Sequence, residues 1–90
     1  MSEMAKVIIY GLHDHRATDV AEQFLIQKGV TDIEMAYIDT SAEMRKEMWL
    51  RTGNSRTIPQ IYVGNEHIGT LSEMVELDRQ GGLDPLLKAD

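Results

Sequence analysis

The chain has 90 residues, of which 42% are hydrophobic, and this length suits one compact domain and is too short for two. Nine Lys and Arg against 15 Asp and Glu give a net charge of −6, which disfavours nucleic acid and anionic membranes as partners. The sequence contains no cysteine, so the chain supplies no disulfide, no thiolate metal ligand and no thiol nucleophile.

The first elements in chain order are a predicted strand and a helix. Residues 6–11 ("KVIIYG") carry apolar side chains on both faces, which is typical of a central strand. From residue 17 apolar positions recur at spacings of three and four up to the stem of Lys28, and Gly29 ends the helix. The predicted inward positions are Ala17, Val20, Ala21, Phe24 and Leu25.

A second strand and a second helix follow. Residues 32–39 ("DIEMAYID") alternate apolar and polar side chains, which predicts a strand whose far end is buried. Thr40 or Ser41 caps the next helix, and Gly53 ends it. Its inward side is expected to carry Met44 and Met48, with Trp49 as a partly buried packing residue.

The last third of the sequence predicts a hairpin and two helical segments. Residues 60–63 and 66–68 read as strands joined by a two-residue Gly-Asn turn. Thr70 or Ser72 caps a third helix that stops at a Gly-Gly pair, and Pro85 lies near the start of a final helical turn. The apolar positions of the third helix are Leu71, Met74, Val75 and Leu77.

The predicted order is β-α-β-α-β-β-α with a final helical turn. A right-handed parallel βαβ unit followed by an antiparallel hairpin is the simplest arrangement of these elements. We therefore predict a single α/β domain over residues 1–90, with a four-stranded mixed sheet and helices on both faces. The sequence has no apolar run of about 18 residues and no basic, apolar leader, so we expect a cytoplasmic monomer.

Several segments together resemble the glutaredoxins, in particular the small bacterial class I-like members. They are "VIIY", "RTG", "TIPQIYV", "HIG" and "GGLDPLL", and the resemblance runs nearly from end to end. It implies a thioredoxin-like fold with a cis-proline at Pro59. It also implies a glutathione groove between the first strand–helix turn, the Thr-Ile-Pro loop and the start of the third helix.

When the family is aligned without gaps on Tyr10 and on Lys28-Gly29-Val30, its Cys-Pro-Tyr-Cys active site falls on His15-Arg16-Ala17-Thr18. His15 therefore stands at the nucleophile's position and Thr18 at that of its resolving partner. Thiol–disulfide exchange needs a thiolate that attacks and a sulfur that accepts it. We therefore predict a glutaredoxin-like protein that is redox-inactive and has no catalytic residue.

The resemblance also implies where glutathione, or a thiol-containing peptide or protein, would bind. Leu12 and Ala17 replace a lysine and a tyrosine of the family's glutathione site, and the backbone of Ile58 is the contact carried over. The N–H groups of Leu71 and Ser72 remain available at a helix start. The predicted ligand-binding residues are His15, Arg16, Thr57, Ile58, Pro59, Leu71 and Ser72. No other cofactor is expected.

Other interpretations of these residues stay open. His13 and His15 could ligate a metal ion, and His15 with Arg16 at a helix start could bind a carboxylate or phosphate. Arg51 or Arg56 could replace the missing carboxylate-binding lysine, whereas His67 is expected to serve packing. A further alternative is an engineered or retained scaffold whose property is stable folding.

Overall fold

A computed structural model describes residues 4–88, so the first three and last two residues of the predicted domain lie outside the described part. The observed element order agrees with the predicted one. Among residues 4–88 no helix combines the length and apolar character needed to cross a bilayer. The elements are β1 (Val7–Gly11), α1 (Arg16–Gln27), β2 (Ile33–Tyr37), α2 (Ala42–Thr52), β3 (Gln60–Val63), β4 (Glu66–Gly69), α3 (Leu71–Arg79) and α4 (Leu83–Leu87).

The strands form one four-stranded mixed sheet, as predicted, and their order is β2-β1-β3-β4. β1 is parallel to β2 and antiparallel to β3, and β3 is antiparallel to β4. Tyr10 near the end of β1 pairs with Gln60 at the start of β3, and Ile61 pairs with Gly69 at the end of β4. The segments that follow β1, precede β3 and follow β4 therefore meet at one edge of the sheet.

Helices cover both faces of the sheet, as predicted, because successive residues of each strand point to opposite faces. The smaller core lies under α2 and contains Tyr10, Ala36, Ile38, Met48 and Tyr62. The larger core lies under α1, α3 and α4, and its buried residues are Val7, Ile9, Ala21, Leu25, Val30, Ile61, Val63, Met74, Leu83 and Leu87.

The predicted inward face of α1 is wrong at two positions. Val20 is 42% exposed, whereas Thr18 is completely buried. His15 caps α1, and the first turn of the helix packs against Gly11 at the end of β1, which buries Thr18. Thr18 thereby joins Ala21 and Leu25, at spacings of three and four, on the buried side.

The caps of α2 and the burial of its apolar side chains agree with the prediction. Ser41 caps the helix by accepting the Met44 N–H at 3.2 Å, and Gly53 ends it with φ of 69°. Met48 is buried as expected. Trp49, predicted as partly buried, is 40% exposed, so more than half of its surface is covered.

The N-cap of α3 is Thr70 and not Ser72, with Glu73 accepting from both the N–H and the hydroxyl of Thr70. Val75, predicted to face the core, is 39% exposed, because the buried position is its neighbour Met74.

The ammonium of Lys28 joins the end of α1 to the two last helices through Asp78 at 2.7 Å and Asp84 at 2.8 Å.

Candidate functional site

Three of the predicted site segments meet at the sheet edge described above: the turn after β1, the loop that ends at Pro59, and the start of α3. A groove of about 560 Å³ opens between the turn and the start of α3. The groove thus brings together three predicted ligand-binding residues, His15, Arg16 and Leu71. Its lining residues are His15, Arg16, Ala17, Val20 and Leu71.

The position of His15 is set by hydrogen bonds to the first turn of α1. Its Nδ1 accepts from the Thr18 N–H at 3.3 Å and lies 2.9 Å from the Thr18 hydroxyl oxygen. That hydroxyl oxygen accepts from the Leu12 N–H at 3.2 Å. The side chains of His15 and Thr18 are therefore linked by a hydrogen bond, with Thr18 inside the protein and His15 half-buried at the groove.

The burial of Thr18 depends on the glycine that ends β1. A Cβ at Gly11 would collide with the Cγ2 atom of Thr18. The glycine at position 11 is the sequence signal for this contact. Apolar periodicity does not reveal that Thr18 is buried, because threonine is polar. Thr18 is a structural part of the turn and offers no group to the groove.

His13 belongs to a different contact set from His15. Its ring stacks on Tyr37 with centroids 3.7 Å apart, and its Nδ1 lies 3.0 Å from the Asp39 carboxylate. Partial burial would raise the pKa of the Asp39 carboxyl, but hydrogen bonds from the His13 N–H and ring outweigh it and lower that pKa. Within residues 4–88 no three His, Cys, Asp or Glu side chains converge as metal ligands.

The loop before β3 presents its backbone at the same sheet edge. The Ile58–Pro59 peptide bond is cis, and the Ile58 side chain packs against the smaller core. Across the described residues, no hydrogen bond reaches the N–H or the C=O of Ile58. Thr57 is exposed, and its C=O accepts from the Gln60 side chain at 2.8 Å. Ile58 therefore carries backbone groups that a ligand can pair with.

A buried polar contact that sequence reasoning missed fixes this loop. The Gln60 amide is almost fully buried; it donates to Ser55 Oγ at 3.1 Å and to the Thr57 C=O. Its oxygen lies 2.6 Å from His67 Nε2, and the His67 ring stacks on Tyr62. The stacking confirms the predicted packing role of His67. The available signal was a glutamine in an otherwise apolar strand.

Arg51 does not reach the groove. Its Nη1 donates to the Tyr10 hydroxyl at 3.0 Å, and its Cζ lies 3.9 Å from the centroid of the Tyr62 ring. The guanidinium is therefore held between α2 and the sheet by a hydrogen bond and a cation–π contact. Arg51 is therefore not among the residues that line this groove, and Arg56 is exposed on the loop; that one of them replaces the missing lysine stays a prediction.

Ser72 lies apart from the His15 groove. Its side chain lines a second surface depression of about 550 Å³ between β4 and α3, beside Glu66, His67 and Glu73. Leu71 faces the first groove and Ser72 the second, because they are neighbours on α3. The start of α3 therefore separates the two depressions.

Comparisons with known proteins place this arrangement in a family. The model of the family "Glutaredoxin" matches residues 7–68. Glutaredoxin 3 of Escherichia coli strain K12 is 42% identical over 85 residues, which are 94% of this chain and all of the relative. The solution structure of glutaredoxin from Brucella melitensis is 34% identical, with a TM-score of 0.77, over 96% of this chain and 91% of that one. A crystal structure of a buckwheat glutaredoxin–glutathione complex shares the fold, with a TM-score of 0.79 and 21% identity, over 92% of this chain and 76% of that one.

Proposed function

The chain belongs to the glutaredoxin family, and on that premise we propose that it binds glutathione or a thiol-containing peptide beside Pro59 without catalysing thiol–disulfide exchange. Exchange requires a thiolate nucleophile and a sulfur that accepts it. This chain has no cysteine, and His15 and Thr18 occupy the positions where the resemblance implies the reactive thiols. The groove can therefore bind a thiol ligand but has no thiol of its own to react with it.

The observation that carries the proposal is the backbone of Ile58, next to Pro59, whose N–H and C=O have no hydrogen-bond partner within residues 4–88. An extended peptide can pair with such a segment as an added strand, and main-chain hydrogen bonds do not depend on the side chain present. The buckwheat relative was solved as a glutathione complex. The same fold here supports a tripeptide lying along the loop toward His15.

The ends of the ligand are expected to be held less firmly than its centre. The N–H groups at the start of α3 can bind a carboxylate, and Arg16 supplies a cation at the groove. The Glu73 carboxylate, however, already accepts hydrogen bonds from Thr70, which weakens it as a partner for the amino group of the ligand. Leu12 is uncharged and cannot attract the glycine carboxylate of the ligand. We therefore expect weaker binding than in a relative that retains those charged contacts.

Two assays on one preparation test the proposal. Isothermal titration with reduced glutathione is expected to detect binding, and a glutathione-reductase-coupled disulfide assay is expected to give no turnover above background. If titration up to millimolar glutathione gives no heat of binding, the proposal that the chain binds glutathione is refuted. Turnover by the pure chain would refute the redox half.

The proposal extends to the setting in which the protein acts. We place it in the cytoplasm as a monomer that needs neither nucleic acid nor membrane. Sedimentation of the free and glutathione-loaded chain checks the monomer, because a ligand-dependent dimer would add a partner surface that the proposal does not contain.

A further inference from the structure

We propose that the Nε2–H of His15 binds an anionic sulfur group of the ligand, a thiolate or a sulfonate, at the position where the family has its nucleophilic cysteine. This inference rests on the proposed function, because it assigns the chemistry of one end of the same groove.

The hydrogen bonds of the turn assign the tautomer of His15. The Thr18 hydroxyl oxygen accepts from the Leu12 N–H, so its own hydrogen is directed to His15 Nδ1, 2.9 Å away. The Thr18 N–H donates to the same nitrogen at 3.3 Å. A proton on Nδ1 would leave both of these donors of the buried Thr18 without an acceptor among residues 4–88. Nδ1 is therefore the acceptor, and Nε2 carries the hydrogen.

The surroundings of the ring favour an anion as the acceptor for that hydrogen. The groove that His15 lines contains one cation, Arg16, and its other walls are the apolar side chains of Ala17, Val20 and Leu71. No carboxylate is among the described residues that line it. A hydrogen bond to a charged acceptor beside apolar walls is stronger than one in open water.

The sulfur of the ligand is the group expected to meet this donor. The pairing of Tyr10 with Gln60 puts the loop before Pro59 and the turn at residue 15 at the same end of the sheet, so the proposed pairing of the ligand's cysteine with the Ile58 backbone leaves its sulfur on the side of His15. The contact is a hydrogen bond; it forms no covalent bond to sulfur and transfers no electron, so it needs no co-reactant. His15 thereby replaces a reacting thiolate with a hydrogen-bond donor, which changes a site that reacts with sulfur into one that holds it.

A series of three ligands tests the inference by isothermal titration: reduced glutathione, S-methylglutathione and glutathione sulfonate. The sulfonate is expected to bind about tenfold or more tightly than the S-methyl compound, since a hydrogen bond to a charged group has about that effect on affinity. His15→Ser is expected to abolish the difference, because serine retains a capping oxygen but ends far short of Nε2. Arg16→Gln is expected to reduce the affinity difference between the two ligands. Lys46→Gln makes the same charge change at an exposed position of α2 and is expected to leave that difference intact.

A second readout needs no ligand and keeps the inference testable if a variant fails to fold. Nitrogen chemical shifts of the His15 ring, recorded above the histidine titration range, are expected to show the Nε2–H tautomer. The Nδ1–H tautomer, equal affinity for the sulfonate and S-methyl ligands, or a difference that persists in His15→Ser would each overturn the inference alone. Failure of all three ligands to bind would instead overturn the proposed function, and this inference with it.

Discussion

At the scale of single residues, Tyr10 shows how a polar group is accommodated under α2. Its ring is completely buried; its hydroxyl donates to Glu47 and accepts from Arg51. Burial, with the Glu47 hydrogen bond, raises the pKa of Tyr10 to about 12, against the opposing effect of Arg51. The fold therefore favours the neutral phenol and loses stability when that phenol ionises.

Tyr10→Phe tests this interpretation through the pH dependence of stability. A raised pKa in the folded state means that the contribution is fully present below the unfolded value of 10.0 and is lost as the pH rises through about 12. The variant is expected to be about 1 kcal/mol less stable at neutral pH and to decline less in this alkaline window. Urea unfolding at neutral and alkaline pH measures both effects. An unchanged alkaline decline would contradict the interpretation.

Gly11 and Thr18 form a second residue-scale prediction, because the missing Cβ of one makes room for the side chain of the other. Gly11→Ala is expected to cost about 1–3 kcal/mol of unfolding free energy through overpacking. In a Thr18→Ala background the same change is expected to cost less, since the colliding Cγ2 and hydroxyl are gone. Denaturant unfolding of the double-mutant cycle measures the coupling. Strict additivity would mean that the two residues do not press on each other.

At the scale of elements, β4 carries a register shift that brings His67 to the site loop. Ile61 pairs with Gly69, but the next residue, Tyr62, pairs with His67, so β4 has one extra residue in the bulge. Because a one-residue shift moves a side chain to the other face, the bulge places the His67 ring over Tyr62. From there Nε2 reaches the buried Gln60 amide that holds the Thr57 C=O.

His67→Ala is expected to destabilise the protein and to loosen the loop before β3. Removing the ring leaves the buried Gln60 oxygen without its donor, which costs about 1–3 kcal/mol. Amide exchange is expected to accelerate at residues 55–58 more than in the helices. Glu66→Ala, an exposed neighbour on the same strand, serves as the control. If both variants behave alike, the loop is held by other contacts.

The elements were predictable from the sequence, whereas the inside of the site was not. Periodicity and caps located every strand and helix, and the mixed sheet followed from their order. The burial of Thr18 and the exposure of Val20 depend on the packing of the first turn of α1 against Gly11, and a hydrophobic pattern does not encode this contact. The placement of His67 depends on a bulge next to Gly69, whose φ is 109°, and the prediction of a regular hairpin strand did not include it.

At the scale of the whole molecule, the fold and the reactive thiols of the family are separable. Neither hydrophobic core includes residue 15, and at residue 18 a buried threonine fills the space beside Gly11. The packing of this fold therefore does not require a cysteine at either position. This explains how a chain without cysteine retains 42% identity with Escherichia coli Glutaredoxin 3 over its full length.

Chemical-shift mapping with reduced glutathione tests the central claim, a retained binding groove without redox chemistry, most directly. The account predicts concentration-dependent shifts at the backbone amides of Ile58, Leu71 and Ser72 and at the His15 turn. The amides of α4 are expected to stay constant, because Leu87 accepts from the Ala5 N–H just before β1, at the opposite end of the sheet. No shift at these sites up to millimolar glutathione, or shifts confined to another surface, would contradict the account.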